Sequence, residues 1–171
     1  PPRSTLFPYT TLFRSPKSIV KLFDLFTGRP SDTAALIEAA SQHKNVVLAG
    51  KVNDEVRDAW ICAASLMLMP NIKDQGDMEG FGLVALEASV QGKIVLASGI
   101  EGITDAVHDG KNGYLLPAED AHAWAHKIRT LAQHNQQYNP EVQQYTSEHF
   151  SWNKMVDGYK KVFAEMEKTK F

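Results

Sequence analysis

Short runs of consecutive apolar residues alternate along this chain with longer stretches in which apolar positions recur at helical spacing. "SIVKLFDLF" (18–26) is rich in β-branched and aromatic residues and predicts a strand. "NVVLAG" (45–50), "LMLMP" (66–70, stopped by Pro70), "KIVLAS" (93–98) and "YLLP" (114–117) are too short for helices and too uniformly apolar for a half-exposed strand. They predict strands buried on both faces. Helices are predicted between them. "TAALIEAASQHK" (33–44) follows a cap at Ser31 or Asp32, and "NDEVRDAWICAA" (53–64) has Asn53 or Asp54 as its cap. "FGLVALEASVQ" (81–91) ends at Gly92, "GITDAVH" (102–108) is short, and "EDAHAWAHKIRTLAQ" (119–133) is capped near Glu119. "QHNQQYNPEVQQY" (133–145) is a polar connection. In "SWNKMVDGYKKVFAEMEK" (151–168), behind a Ser151 cap, Trp152, Met155, Val156, Tyr159, Val162, Phe163 and Met166 form one helical stripe.

Strands alternating with helices imply β-α-β units and a parallel sheet. The expected fold class is α/β, a Rossmann-like parallel sheet with helices on both faces plus C-terminal helices. The expected boundaries are a domain over 16–134 and a helical extension over 135–171. Such sheets bind ligands beyond the carboxyl ends of their strands, which directs attention to loops 27–31, 50–53 and 70–82.

The opening segment does not fit this pattern. "TLFPYTTLFRS" (5–15) repeats the phrase Thr-Leu-Phe and follows neither period. It lacks the basic end and small-residue cleavage site of a secretory peptide. It resembles the reading-frame translation of a common DNA-sequencing adapter. Residues 1–15 are therefore expected to be a disordered artefact, with the protein's own sequence resuming near Pro16 after a break. Without Arg3 and Arg14 the formal charge of −2 becomes −4.

Composition narrows the classes further. At 22% charged residues the chain is ordinary for a folded domain, and no apolar run approaches the ~20 residues of a spanning helix. The acidic balance leaves no footprint for nucleic acid. One cysteine, Cys62, cannot form an internal disulfide; this fits a reducing, cytoplasmic setting, and Cys62 is expected to be a buried small apolar residue. His122 and His126 stand four apart on one helix but lack the acid of a zinc-protease motif, so no metal site is expected. Trp60 and Trp124 read as packing anchors.

The chemistry concentrates in "PNIKDQGDMEGFGLVALEASVQG" (70–92). The helix over 81–91 has almost no polar face and is expected to be buried, with one ionisable residue, Glu87. A buried carboxylate needs either a structural partner, from backbone or a basic side chain, or a task. Gly80 and Gly82 flank Phe81 where the helix begins, allowing close backbone approach. The first helical amides have no internal partners and favour an anion such as phosphate. Glu87 lies five residues beyond Gly82, about 7.5 Å along a helix. One ligand could set a diphosphate at the helix tip and a ribose against Glu87.

Glu79 and Glu87 with the seven residues between them resemble the Glu-x7-Glu motif of GT-B-fold retaining glycosyltransferases, in particular glycosyltransferase family 4. The flanks are similar in order. "TGRP" keeps Gly28 and Pro30 of a Gly-x-Gly-Pro turn, with Arg29 at the second glycine. "VVLAGKVND" resembles the strand and turn beside the base, and Asn71 stands where the family usually has Ser after Pro. "ASGIEGITDAVHDGKNGYLLP" resembles the acidic and Asp-Gly-x-x-Gly segments, with Asp105 at the acidic position. "FSW" (150–152) resembles the opening of the last helix. The likeness covers roughly 19–165.

The resemblance implies that Glu87 holds the ribose, and that Glu79 acts near the donor sugar as the catalytic acidic residue. It implies that Gly80, Phe81, Gly82 and Leu83 form the turn meeting sugar and diphosphate, and that Val52 lies near the base. It implies the donor-binding, C-terminal half of a GT-B enzyme. That enzyme would transfer sugar from a UDP- or GDP-sugar to an acceptor hydroxyl with retention, with no cofactor and no metal. The family's basic clamp and acceptor domain are not in view; Lys17 and Lys21 lie too close to the second strand of the pattern to match the clamp. A glycan or lipid acceptor, and any peripheral membrane contact, would belong to a missing N-terminal domain, towards which the family's last helix crosses. The competing expectations are a non-catalytic nucleotide-sugar-binding module and a last helix that packs wholly on its own domain.

Overall fold

The computed structural model describes residues 10–13, 20–23, 38, 41–42, 46–48, 52–72, 81–133 and 138–168. Six strands form one sheet: β1 (Thr10–Phe13), β2 (Val20–Phe23), β3 (Val46–Leu48), β4 (Leu66–Met69), β5 (Ile94–Ser98) and β6 (Gly113–Leu116), in the order β3-β2-β1-β4-β5-β6. β2 pairs parallel with β3, and β4, β5 and β6 are parallel neighbours. β1 is antiparallel to both β2 and β4, so the other five strands all run in one direction. Thr10–Phe13 belong to the segment expected to be disordered. They form a strand because Thr-Thr-Leu-Phe is β-prone and because the two parallel blocks present facing edges with free hydrogen-bonding groups.

The helices are α1 (Asp54–Ala63), α2 (Leu83–Ser89), α3 (Ile103–Ala106), α4 (Ala121–Gln133), α5 (Pro140–His149) and α6 (Trp152–Lys168). Glu38 and Ser41 are helical within the stretch predicted over 33–44, most of which lies outside the described residues. Asn53 caps α1 through a bond from the Val56 amide, as its position suggested. The cap of α4, expected near Glu119, is Asp120; its carboxylate accepts from the His122 and Ala123 amides. The polar connection over 133–145 contains the start of a helix that the sequence pattern did not reveal. Asn139 caps α5 with bonds from Glu141 and Val142, and Pro140 takes the first turn.

The alternation of side chains along β4 to β6 divides the core into two layers. Met67, Met69, Val95 and Ala97 face one layer, with Ile61, Val84, Ala85, Ala88, Ile103 and Val107 from α1, α2 and the α3 region. Leu66, Leu68 and Leu96 face the other, against Trp124 of α4. Helices on both faces of a mainly parallel sheet make the doubly wound architecture expected. Gly113 is fixed by that packing: a Cβ there would collide with the Val95 carbonyl oxygen.

Two expectations about burial fail. Cys62 is exposed, because Ile61 takes the inward position of α1 and the next residue turns away from the sheet. α2 is not buried all round: Val84, Ala85, Ala88 and Ser89 are inside, but Leu83 is 56% exposed and Val90 42%. Its exposed side, with Leu86 and Glu87, borders a groove of about 470 Å³ shared with Thr146 and Phe150 of the α5 end and Trp152 of α6.

Candidate donor-binding site

The chain direction of β4 brings α2 to the carboxyl end of the sheet, where parallel strands leave a crevice. Gly82 caps α2 with φ +69°. In that left-handed region a side chain is strained, so the turn requires glycine at this position. Gly82 rests on α3: its Cβ position is 3.6 Å from Ile103 and 3.8 Å from Ala106. Phe81 is 42% exposed at the mouth of the turn, 6.3 Å between ring centres from Phe150. Leu83 follows, largely exposed. Phe81, Gly82 and Leu83 of the expected turn lie at the start of α2, while Glu79 and Gly80 lie outside the described residues.

Glu87 sits half-buried on α2, across from α1. Its carboxylate lies 3.8 Å from the Arg57 guanidinium, which is itself bonded to Asp54 at 3.0 Å and Asp58 at 3.2 Å. Desolvation pushes the Glu87 carboxyl above the ordinary carboxylate range; Arg57 pulls it back, and Asp58 and Asp54 push it up again. The Arg57 guanidinium is raised: burial alone would lower it, but Glu87 and the two aspartates outweigh that. Arg57 is the basic structural partner that one reading of Glu87 required, yet at 3.8 Å it does not saturate the carboxylate. Sequence gave no direct route to it, since a contact across thirty positions depends on how α1 and α2 are docked. The acid-flanked "DEVRD" was the available hint.

Val52 packs partly buried against the core just ahead of the Asn53 cap, on the carboxyl side of β3 and apart from Glu87 in sequence and element. Asp105 is exposed on α3. In the Asp-Gly-x-x-Gly turn, Asp109 accepts from the Leu115 amide, and buried Asn112 bridges the His108 amide and the Ala106 carbonyl. These two residues shape the turn. His122 and His126 are exposed on α4, and among the described residues no three His, Cys, Asp or Glu side chains converge as metal ligands. Trp124 and Trp60 pack on the core as expected. Among the described residues no helix is long and apolar enough to cross a membrane.

The doubly wound sheet, with a glycine turn opening a helix that carries a half-buried carboxylate at the carboxyl end of the strands, has the layout of a ligand-binding crevice. Residues 19–134 match the family Glycosyl transferases group 1, and the chain belongs to that family. Its fold is similar to that of the C-terminal domain of a glycosyl transferase group 1 family protein (LpcC) from Francisella tularensis, with a TM-score of 0.59 at 20% identity, covering 72% of this chain and 66% of that one. The chain is 40% identical over 81 residues to a D-inositol 3-phosphate glycosyltransferase of Streptomyces avermitilis, covering 47% of this chain and 16% of that protein. It is 31% identical over 122 residues to the protein of that name from Nocardioides sp., covering 67% of this chain and 25% of that one. The chain therefore spans a quarter or less of these curated relatives. Anabaena Alr3699/HepE, solved in complex with UDP, has the same fold: TM-score 0.71 at 20% identity, covering 89% of this chain and 42% of that one.

Proposed function

We propose that this chain is the donor-binding half of a glycosyltransferase that moves a sugar from a UDP- or GDP-sugar to an acceptor hydroxyl with retained configuration. One observation carries the reading. Glu87 is half-buried and incompletely neutralised, about 7.5 Å along α2 from a turn that only glycine can make. In that arrangement the Glu87 carboxylate accepts hydrogen bonds from the two ribose hydroxyls, and Arg57 offsets part of the desolvation that opposes its charge. The turn at 80–83 meets the diphosphate and the donor sugar with backbone amides, and Glu79 acts at the sugar. Val52 borders the base. As the glycosidic bond to the diphosphate lengthens, charge builds on the leaving oxygens. Oriented donors stabilise that charge more than they stabilise the ground state. No cofactor or metal enters this reading. The acceptor, glycan or lipid, is bound by a preceding domain, and the protein works in the cytoplasm.

The reading is tested by titrating UDP and GDP into the 171-residue chain by calorimetry. One of them is expected to bind, and Glu87→Ala is expected to weaken it by about 1–3 kcal/mol, the scale of hydrogen bonds to a charged group. An unchanged affinity removes Glu87 from the ribose role. The chain alone is expected to show little or no sugar transfer in a radiolabelled-donor assay, and sustained turnover would show that no further domain is required.

A further inference from the structure

Five aromatic side chains run in a row from the turn at Gly82 to the end of α5. Phe81 stands 6.3 Å from Phe150, tilted by 58°. Phe150 stands 5.2 Å from the His108 ring. His108 meets Tyr145 edge-on at 5.8 Å, and Tyr145 stacks on His149 at 3.9 Å. The middle of the row is held by polar bonds. His108 Nδ1 and the Tyr145 hydroxyl are 2.7 Å apart, and the His108 amide donates to the buried Asn112 side chain at 2.8 Å. Asn112 in turn donates to the Ala106 carbonyl. Phe150 closes α5, its amide bonded to the Thr146 carbonyl. Neither Phe81 nor Phe150 belongs to the two buried core layers. The row is a separate support whose free end is the residue preceding the left-handed glycine.

We propose that His108 is a positioning residue for nucleotide binding. Fixed by Tyr145 and Asn112, its ring backs Phe150, which backs Phe81 and so fixes the turn at Gly82. The inference rests on the reading of residues 80–83 as the donor turn. Two side chains pin His108 in position, one on its ring and one on its backbone. Phe81, by contrast, has the Phe150 ring beside it among the described residues, and 42% of it faces solvent. A ring so placed keeps its position only if the rings behind it keep theirs.

The test is a double-mutant cycle on UDP and GDP affinity, with thermal melting of every variant alongside. His108→Ala is expected to weaken the nucleotide that binds by about three- to tenfold, and Tyr145→Phe, which removes one hydroxyl, by about twofold. His108→Phe retains a ring against Phe150 and is expected to recover most of the affinity. If His108 acts through Phe81, the double variant His108→Ala/Phe81→Leu binds no worse than Phe81→Leu alone. Losses that multiply in the double variant overturn the proposal, as does a melting temperature that falls in His108→Ala and Tyr145→Phe while affinity stays constant. Loss of binding in Glu87→Ala without loss in His108→Ala overturns this inference and leaves the donor-site reading standing. An unaltered chain that binds neither nucleotide overturns both.

Discussion

The last two helices are neighbours in sequence and opposites in packing. α5 has a weak apolar pattern, yet it buries Val142 and Thr146 and lies on α2. α6 has the clearest stripe in the chain, yet none of its residues is buried. Trp152 is 78% exposed, and Tyr159, Phe163 and Met166 are each 59% exposed. The contrast teaches that amphipathicity reports a face and not its occupant. α5 is tied down by specific bonds that need few apolar residues. Asn139 donates its amide to the Gly92 carbonyl at 2.8 Å and caps the helix, and Thr146 returns its hydroxyl to Val142 at 2.8 Å. α6 begins well, on a Ser151 cap, but its stripe stays largely exposed, with Trp152 at the edge of the groove beside α2.

The contrast should be sharpest in stability measurements. Val142→Asp is expected to cost on the order of 3 kcal/mol or more, because the carboxylate would be buried without a partner. A denaturant midpoint close to that of the unaltered chain would show that α5 is not anchored as described. Gly92→Ala is expected to cost about 1–2 kcal/mol. Gly92 has φ +73°, and a Cβ would fall 2.5 Å from the Tyr138 ring and 3.1 Å from the Asn139 carbonyl oxygen, at the junction that delivers α5. Asn139→Ala removes the cap of α5 and should cost about 1 kcal/mol.

Glu87→Gln tests the surface on which α5 rests, and its sign is informative. The folded-state carboxyl is raised by desolvation, so the folded protein holds its proton more tightly than the unfolded chain does. Its contribution is therefore fully present below the ordinary carboxylate range and is lost as pH rises through the raised value. The variant should match the unaltered chain in acid and gain on it towards neutral pH, while losing nucleotide affinity. A stability difference that does not change with pH would contradict the desolvation. The smallest effect belongs to α6: Phe163→Ser should change stability by less than about 0.5 kcal/mol by thermal melting. A larger loss would mean that the stripe is covered.

Much of this organisation was legible in the sequence, and the exceptions have physical causes. β4, β5 and β6 were readable because strands covered on both faces are apolar at every position, as in Leu66–Met69. The Gly82 turn was readable because glycines flank the start of an apolar helix, and Glu87 because it is the one ionisable residue of that helix. α5 escaped because two buried residues do not make a period; only Asn139-Pro140 marked its start. The exposed side of α2 escaped because composition counts apolar residues and not the faces available to cover them. Arg57 and the row behind Phe81 escaped because they join segments distant in sequence, His108 to Tyr145 across 37 positions. β1 escaped because its strand state comes from two waiting edges rather than from its own pattern.

β1 also gives the sheet a seam. Within the sheet, among the described residues, β2 and β3 join β4, β5 and β6 through the antiparallel pairing of Thr10–Phe13 on either side. A local opening at that one strand separates the blocks without breaking a parallel ladder. Amide exchange should therefore fall into two cooperative units. The slow unit is β4 to β6 with the helices packed on them, and the faster one is β2 with β3, whose protection lasts only while four residues stay in register.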